Sequence, residues 1–268
     1  MRKPLFKIRE DGKYGFMNAA GQVVIEPQYF EAEDYYNGFR RVRLHDKLVP
    51  LDEQGRLLMR RVFNYVGLFE EHLAKVKLVQ QWGFIDERGR LAIPVRFTDA
   101  GDFSEGLAPV SANGHYGFID NSGDFIIPPH FESAAEFKSG LAPAAQNGRW
   151  GYIGKDGKFA IPPQFDECFS FQEDVAVVVK NEKWGLVDRH GDLLLKPQFD
   201  ILDGAANGEF FDGMALAVQN DRYGFVSQEG EIAILPQYDF AGDFGEGLAL
   251  VEINGKFGYV DQSGRVAI

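Results

Sequence analysis

The sequence holds little that would staple, anchor or charge it positively. Cys168 is the only cysteine in 268 residues, so an intrachain disulfide is excluded and cysteine usage says nothing about redox compartment. It stands in FDECFSF with no base or motif beside it, which reads as a buried filler rather than a catalytic thiol. No apolar run approaches the ~18 residues that cross a bilayer as a helix. The opening MRKPLFKIREDGKYGF lacks the apolar stretch of about 7–15 residues that marks a secretory leader. The expectation is a cytoplasmic chain, or one whose leader has been removed. Lys and Arg number 28 against 40 Asp and Glu, a net charge of −12 and a pI of about 4.9. Such a chain repels phosphate backbones, which argues against nucleic acid as a partner.

Motifs that carry chemistry are missing as well. His45, His72, His115, His130 and His190 stand far apart with no H-E-x-x-H, C-x-x-C or calcium-loop pattern, so no metal site is expected. There is no G-x-S-x-G, no phosphate loop and no dinucleotide fingerprint leading into a helix. No catalytic residue and no cofactor is expected.

What is abundant is glycine and aromatic rings: 31 Gly, 24 Phe and 10 Tyr. Many turns with a ring-rich core point to β structure. The glycines and rings also recur. GKYGFMNAAGQVVIEPQY, GHYGFIDNSGDFIIPPHF, GRWGYIGKDGKFAIPPQF and EKWGLVDRHGDLLLKPQF are copies of one pattern. The residue before the motif glycine falls at Tyr14, Leu48, Trp82, Tyr116, Trp150, Trp184, Tyr223 and Phe257. The spacing is 34 throughout except for one interval of 39, which places a five-residue insertion in 201–213. A 34-residue period also suits paired helices, but tight-turn signals about seven residues apart leave no room for a helix of ~10 residues.

The turn chemistry is specific. Asp11-Gly12, Asn113-Gly114, Asn147-Gly148 and Asn254-Gly255 suit the positive φ angles of a two-residue type I′ hairpin. A second glycine (Gly21, Gly55, Gly89, Gly123, Gly157, Gly191, Gly230, Gly264) follows an Asp or Asn three residues upstream in six copies. That spacing predicts a type I turn whose acid side chain bonds the turn backbone. A third glycine site (Gly38, Gly106, Gly140, Gly213, Gly247) carries His72 and Asp174 in two other copies, residue types that tolerate positive φ. Each unit reads as three short strands, in one copy about 107–112, 115–120 and 124–127. Prolines such as Pro129, Pro163 and Pro197 are read as ending the third. Two ring columns, Tyr29/Phe63/Phe97/Phe131/Phe165/Phe199/Tyr238 and Tyr35/Phe69/Phe103/Phe137/Phe171/Phe210/Phe244, are read as core between neighbouring units. A mid-strand glycine in seven copies implies close approach by a neighbouring ring or backbone.

EGLAPVSANGHYGFID, NGRWGYIGKDGKFAIPPQF and FGEGLALVEINGKFGYVDQSG resemble the WG-repeat family, found mainly in bacteria, along essentially the whole chain. Trp stands in the motif only at 82, 150 and 184. The resemblance implies a repeat scaffold with an interaction role and transfers no catalytic residue. The expected fold is all-β: a single domain over 1–268, a tandem array of eight ~34-residue, three-stranded antiparallel repeats forming an open curved solenoid or superhelix. A closed propeller-like ring is the alternative.

Contact regions are sought where the repeat breaks. Residues 40–61 carry Arg40, Arg41, Arg43, Lys47, Arg56, Arg60 and Arg61 against three acids, a net +4 inside a chain of −12. Such bipolarity would orient an acidic partner or let the chain self-associate weakly, head to tail. The insertion supplies Asn207, Glu209 and Phe211. The expected function is a non-enzymatic scaffold for another, unidentified protein. A carbohydrate- or peptidoglycan-binding module using exposed rings is one alternative. A hydrolase with dispersed carboxylates is another, motivated by the acids at Glu71, Glu105, Glu173, Asp212 and Glu246.

Overall fold

A computed structural model describes residues 5–33, 40–44, 47–52, 54–56, 63–201 and 209–268. Every regular element in them is a strand. The strands form small antiparallel sheets, none closed into a barrel. Two compact units, Met1–Phe131 and Glu132–Ile268, hold four sheets each.

The sheets follow one another along the chain. In the first unit they comprise Phe6–Glu10, Lys13–Met17 and Val23–Tyr29; Glu31–Ala32, Arg40–Leu44 and Lys47–Leu51; Tyr65–Glu70, Leu73–Leu78, Gln81–Asp86 and Leu91–Phe97; and Asp99–Ala100, Ala108–Ala112, His115–Ile119 and Phe125–Phe131. In the second they comprise Ser133–Ala134, Ala142–Gln146, Arg149–Ile153 and Phe159–Phe165; Glu167–Cys168, Val175–Lys180, Lys183–Asp188 and Leu193–Asp200; Met214–Gln219, Arg222–Ser227 and Ile232–Tyr238; and Phe240–Gly245, Leu248–Ile253 and Lys256–Asp261. Each sheet contains one of the aligned motif positions.

Four sheets have a fourth strand, which corrects the three-stranded expectation. Directly after the column aromatic the chain turns back, and in three of these sheets two residues pair with the next hairpin, as in Glu167↔Val179 and Cys168↔Val178, while in the other the outer strand is Tyr65–Glu70. A two-residue strand has no periodicity to read in sequence.

The prolines do not end the third strand. Phe159–Phe165 runs through Pro162 and Pro163. Trp150 pairs with Phe165 and Tyr152 with Ile161, so one residue, Gly151, faces three across the ladder. The prolines sit in this bulge, where no ladder donor is required. A Cβ on Gly151 would lie 2.4 Å from the Ile161 carbonyl oxygen and 2.8 Å from Pro163 N. The mid-strand glycine is thus required by a bulged neighbouring backbone, not by a ring.

The turns form as their residues dictate. Both residues of Asp11-Gly12, Asn113-Gly114, Asn147-Gly148 and Asn254-Gly255 have positive φ. At the third glycine site Glu105 precedes Gly106 with φ 55°, and His72 is positive at 70°. Asp174 is not among the positive-φ residues; the preceding Glu173 takes that conformation, at 56°. In the second turn one carboxylate oxygen of Asp188 accepts the N–H groups of His190 and Asp192, both at 2.9 Å. Asp52, Asp86, Asp120 and Asp261 repeat the arrangement, and Asn18 repeats it with its amide oxygen.

The core lies between consecutive sheets. Tyr152, Ile161 and Phe165 of one sheet meet Phe171, Ala176, Val178 and Val187 of the next. Phe225, Ile234 and Tyr238 likewise meet Phe244, Ala249, Val251 and Val260. Every described ring of both columns is buried, except Phe210, which is partly so. Each buried Phe contributes roughly 1.5–3 kcal/mol of transfer free energy. Tyr35 lies outside the described residues.

Candidate interaction surface

The carboxylates are engaged in turns. The Glu71 carboxylate accepts the Gly106 N–H at 2.9 Å, and Asp212 accepts that of Gly247 at 2.9 Å, each joining a turn to the equivalent turn of the following sheet. Gln262 reinforces the second clasp by donating to the Asp212 carbonyl at 2.8 Å, and Arg189 donates to that of Ser139. Two of the five acids that motivated a hydrolase, Glu71 and Asp212, therefore cap backbone donors between neighbouring sheets.

At the opposite, hairpin end a second set of polar residues follows the column aromatics. Glu132 accepts the Gly148 N–H at 2.8 Å, Asp166 that of Asn181 at 2.6 Å and Asp239 that of Asn254 at 2.6 Å. Arg149 pairs with Asp166, Lys183 with Asp200 and Arg222 with Asp239. Sequence reasoning missed this set. Its signal was a polar residue one place after the aromatic: Asn64, Glu132, Asp166, Asp200 and Asp239. Tyr116 donates to Asp99; burial first, and then that bond, raise its phenol pKa. Burial also disfavours ionisation of the Asp86 carboxyl, but hydrogen bonds from Arg90 and Arg88 and the Arg90 charge outweigh it, so its pKa is lowered.

The basic segment is knitted into the fold. Arg40 is buried, donates to the Leu5 carbonyl at 3.2 Å and lies 4.3 Å from the Phe16 ring centroid. Arg41 bonds Glu33 at 2.6 Å and the Val66 carbonyl at 2.7 Å, tying its sheet to the next. Arg43 pairs with Glu31 at 2.8 Å. Arg56 pairs with Asp52 at 2.7 Å and is largely exposed. Lys47 opens the strand Lys47–Leu51, while Arg60 and Arg61 lie outside the described residues. From the insertion, Glu209 and Phe211 are exposed, and Asn207 lies outside the described residues.

Cys168 is buried beside Tyr152, and burial pushes its thiol up to about 12. The Tyr152 hydroxyl donates to the Phe169 carbonyl at 2.8 Å. This is a packing position, occupied by Ala32, Val66, Ala100, Ala134 and Ala241 in other copies.

Exposed apolar side chains collect at the start of the third strands, where Val23 and Val24, Phe125 and Ile126, and Leu193 and Leu194 hold one equivalent pair of positions. Ile232 shares the first of them. These are edge strands of their sheets. No group of three His, Cys, Asp or Glu side chains suited to a metal ion occurs among the described residues. No described helix is long and apolar enough to cross a membrane.

With a motif copy in every sheet and core between successive sheets, this is a β-repeat protein. Segments 14–47, 82–114, 116–150, 150–184, 184–223 and 223–257 match the family described as WG containing repeat, and the chain belongs to that family. No curated protein matches the sequence. In structure the chain is similar to a eukaryotic initiation factor, with a TM-score of 0.58 and 12% identity over 99% of this chain and 84% of that one. It also matches Kluyveromyces lactis Hsv2 (TM-score 0.47, 8% identity, 92% and 89% covered). A third match is the dihydro-heme d1 dehydrogenase NirN (TM-score 0.47, 12% identity, 100% and 73% covered). At such identities the first likeness is one of fold alone.

Proposed function

We propose that the chain is a non-enzymatic scaffold that binds another protein. The observation carrying this reading is the exposed apolar pair on the edge strands, Phe125 with Ile126 and Leu193 with Leu194. A structural role in the core would bury such residues; their exposure suits a partner that covers them. The engagement of the recurring carboxylates as turn caps supports a non-catalytic role. The finer architecture belongs to the same proposal: eight repeats stacked as an open curved solenoid, which small-angle scattering distinguishes from a closed ring. So does a cytoplasmic location.

The test is affinity capture with the full chain as bait, followed by reconstitution with the purified partner. Leu194→Asp, Phe211→Asp and the paired Arg60→Glu, Arg61→Glu variants separate the edge strand, the insertion and the basic segment. Loss of about tenfold or more in affinity from at least one of them is the expected result for a contact residue. A chain that retains no partner, or a partner indifferent to all three, defeats the proposal. Binding on a glycan array would favour the carbohydrate alternative instead.

A further inference from the structure

Five Asn-Gly pairs stand in the sequence. Asn37-Gly38 and Asn207-Gly208 lie outside the described residues. Asn113-Gly114, Asn147-Gly148 and Asn254-Gly255 are exposed hairpin tips with positive φ at both residues. In such a pair the glycine nitrogen can approach the preceding side-chain amide with no Cβ in the way. Space does not separate the three, since a Cβ on any of these glycines would meet nothing within 4 Å. Carboxylates do. Glu132 accepts the Gly148 N–H at 2.8 Å, and Asp239 accepts the Asn254 N–H at 2.6 Å. In the copy that carries Asn113, Thr98 stands where Glu132 stands one period later. Its hydroxyl is turned to Ser111, at 3.0 Å from the Ser111 Oγ. Among the described residues no carboxylate holds either N–H of Asn113-Gly114.

We propose that Asn113 is a site of spontaneous covalent modification, at which the backbone nitrogen of Gly114 displaces the side-chain amide. The Gly114 nitrogen gives its proton to solvent hydroxide and attacks the Asn113 side-chain carbonyl carbon. A C–N bond closes a cyclic imide, the bond to the side-chain nitrogen breaks, and that nitrogen takes up a proton and leaves as ammonia. Water then adds to one of the two imide carbonyls and breaks its C–N bond, leaving aspartate or isoaspartate at position 113. Nothing is oxidised or reduced. A carboxylate clasp opposes the first step in two ways. Beside the Gly148 N–H, the Glu132 charge disfavours the anion that loss of the proton would create. The clasp also holds the turn in the geometry from which the nitrogen must rotate. Asp239 holds its turn but does not bond the attacking nitrogen. The rates therefore fall in the order Asn113, Asn254, Asn147. Modification adds a negative charge at the tip, and isoaspartate adds a main-chain carbon to a two-residue turn, so the pairing of Ala108–Ala112 with His115–Ile119 is disturbed at Ala112↔His115.

The experiment ages the full chain in mildly alkaline buffer and follows each Asn-Gly pair by peptide mapping and mass spectrometry. Enzymatic methylation marks the isoaspartate formed. Asn113 should convert first and Asn147 about threefold or more slowly, the scale of one charged hydrogen bond at an exposed site. Asn254 should fall between them. In denaturant the three rates should converge, because each asparagine is then followed by the same glycine without a clasp. The decisive step exchanges one residue between copies. Thr98→Glu should slow Asn113, and Glu132→Thr should speed Asn147. Both positions are exposed, and circular dichroism verifies that each variant remains folded. Asn147 matching Asn113 in the folded chain, an order that survives denaturation, or exchanges that leave both rates unchanged overturns the proposal.

Discussion

The sheet of Arg40–Leu44 and Lys47–Leu51 and the sheet of Val175–Lys180 and Lys183–Asp188 are two copies of one pattern with different chemistry at the same places. Ala176 of the second corresponds to Arg40 of the first, Gly185 to Val49 and Tyr152 of the preceding sheet to Phe16. In the second, small Ala176 leaves room for Tyr152 to pack on Phe171, with centroids 4.7 Å apart. In the first, the Arg40 stem and guanidinium fill the corresponding space over Phe16. A buried cation is tolerated there because an aromatic face and the Leu5 carbonyl replace part of its hydration. The repeat thus prescribes a volume and a face, and more than one side chain meets the prescription.

The largest effect should come from imposing the first solution on the second sheet. Ala176→Arg forces a charge into space already filled by Tyr152 and Phe171, and should cost about 4 kcal/mol or more in denaturant unfolding. Gly185→Val copies the other difference. A Cβ there would stand 2.5 Å from the Leu195 oxygen and 2.6 Å from Pro197 N, so the bulged strand must move. Its expected cost is about 3 kcal/mol, read from the same unfolding curves. The reverse change, Arg40→Ala, opens a gap over Phe16 and should cost about 1–3 kcal/mol; Arg40→Met restores most of it if stem volume rather than charge holds the ring. Asp188→Ala removes the acceptor for two turn N–H groups and should cost about 1 kcal/mol.

The smallest effect is expected at Cys168, whose equivalents are mostly alanine. Cys168→Ala should change stability by less than about 1 kcal/mol. The native thiol, buried and pushed up to about 12, should react with a disulfide reagent at pH 8 only as the chain unfolds. Rapid reaction of the folded protein would show that this position is open.

Much of the fold was legible in residues. The hairpin turns follow from Asn-Gly and Asp-Gly because Asn, Asp and Gly are the residues that most readily accept positive φ. The aspartate-capped turns follow from an acid three residues before a glycine, a spacing that is purely local. Both ring columns were visible as 34-residue ladders. The two-residue outer strands were not, since pairing so short leaves no pattern. The prolines misled because a bulge needs no donor where an ordinary strand does. For the candidate surface, charge counting singled out Arg40, Arg41 and Arg43, but composition cannot distinguish a solvated cation from one bonded to Glu31, Glu33 or a carbonyl. Phe211 was singled out as a contact only because it falls in the insertion, where the 34-residue period breaks.

By itself the sequence determined the repeated β unit, its turns and its buried rings, because those depend on backbone conformations and periodicities confined to about thirty residues. Only the tertiary structure decided what the polar residues do and which apolar faces stay uncovered. Glu71 reaches Gly106 and Arg41 reaches Val66 across separate sheets, and Leu193 and Leu194 are exposed where Leu195 beside them is buried. Those outcomes depend on which surface is brought beside which, and no local run of residues carries that information.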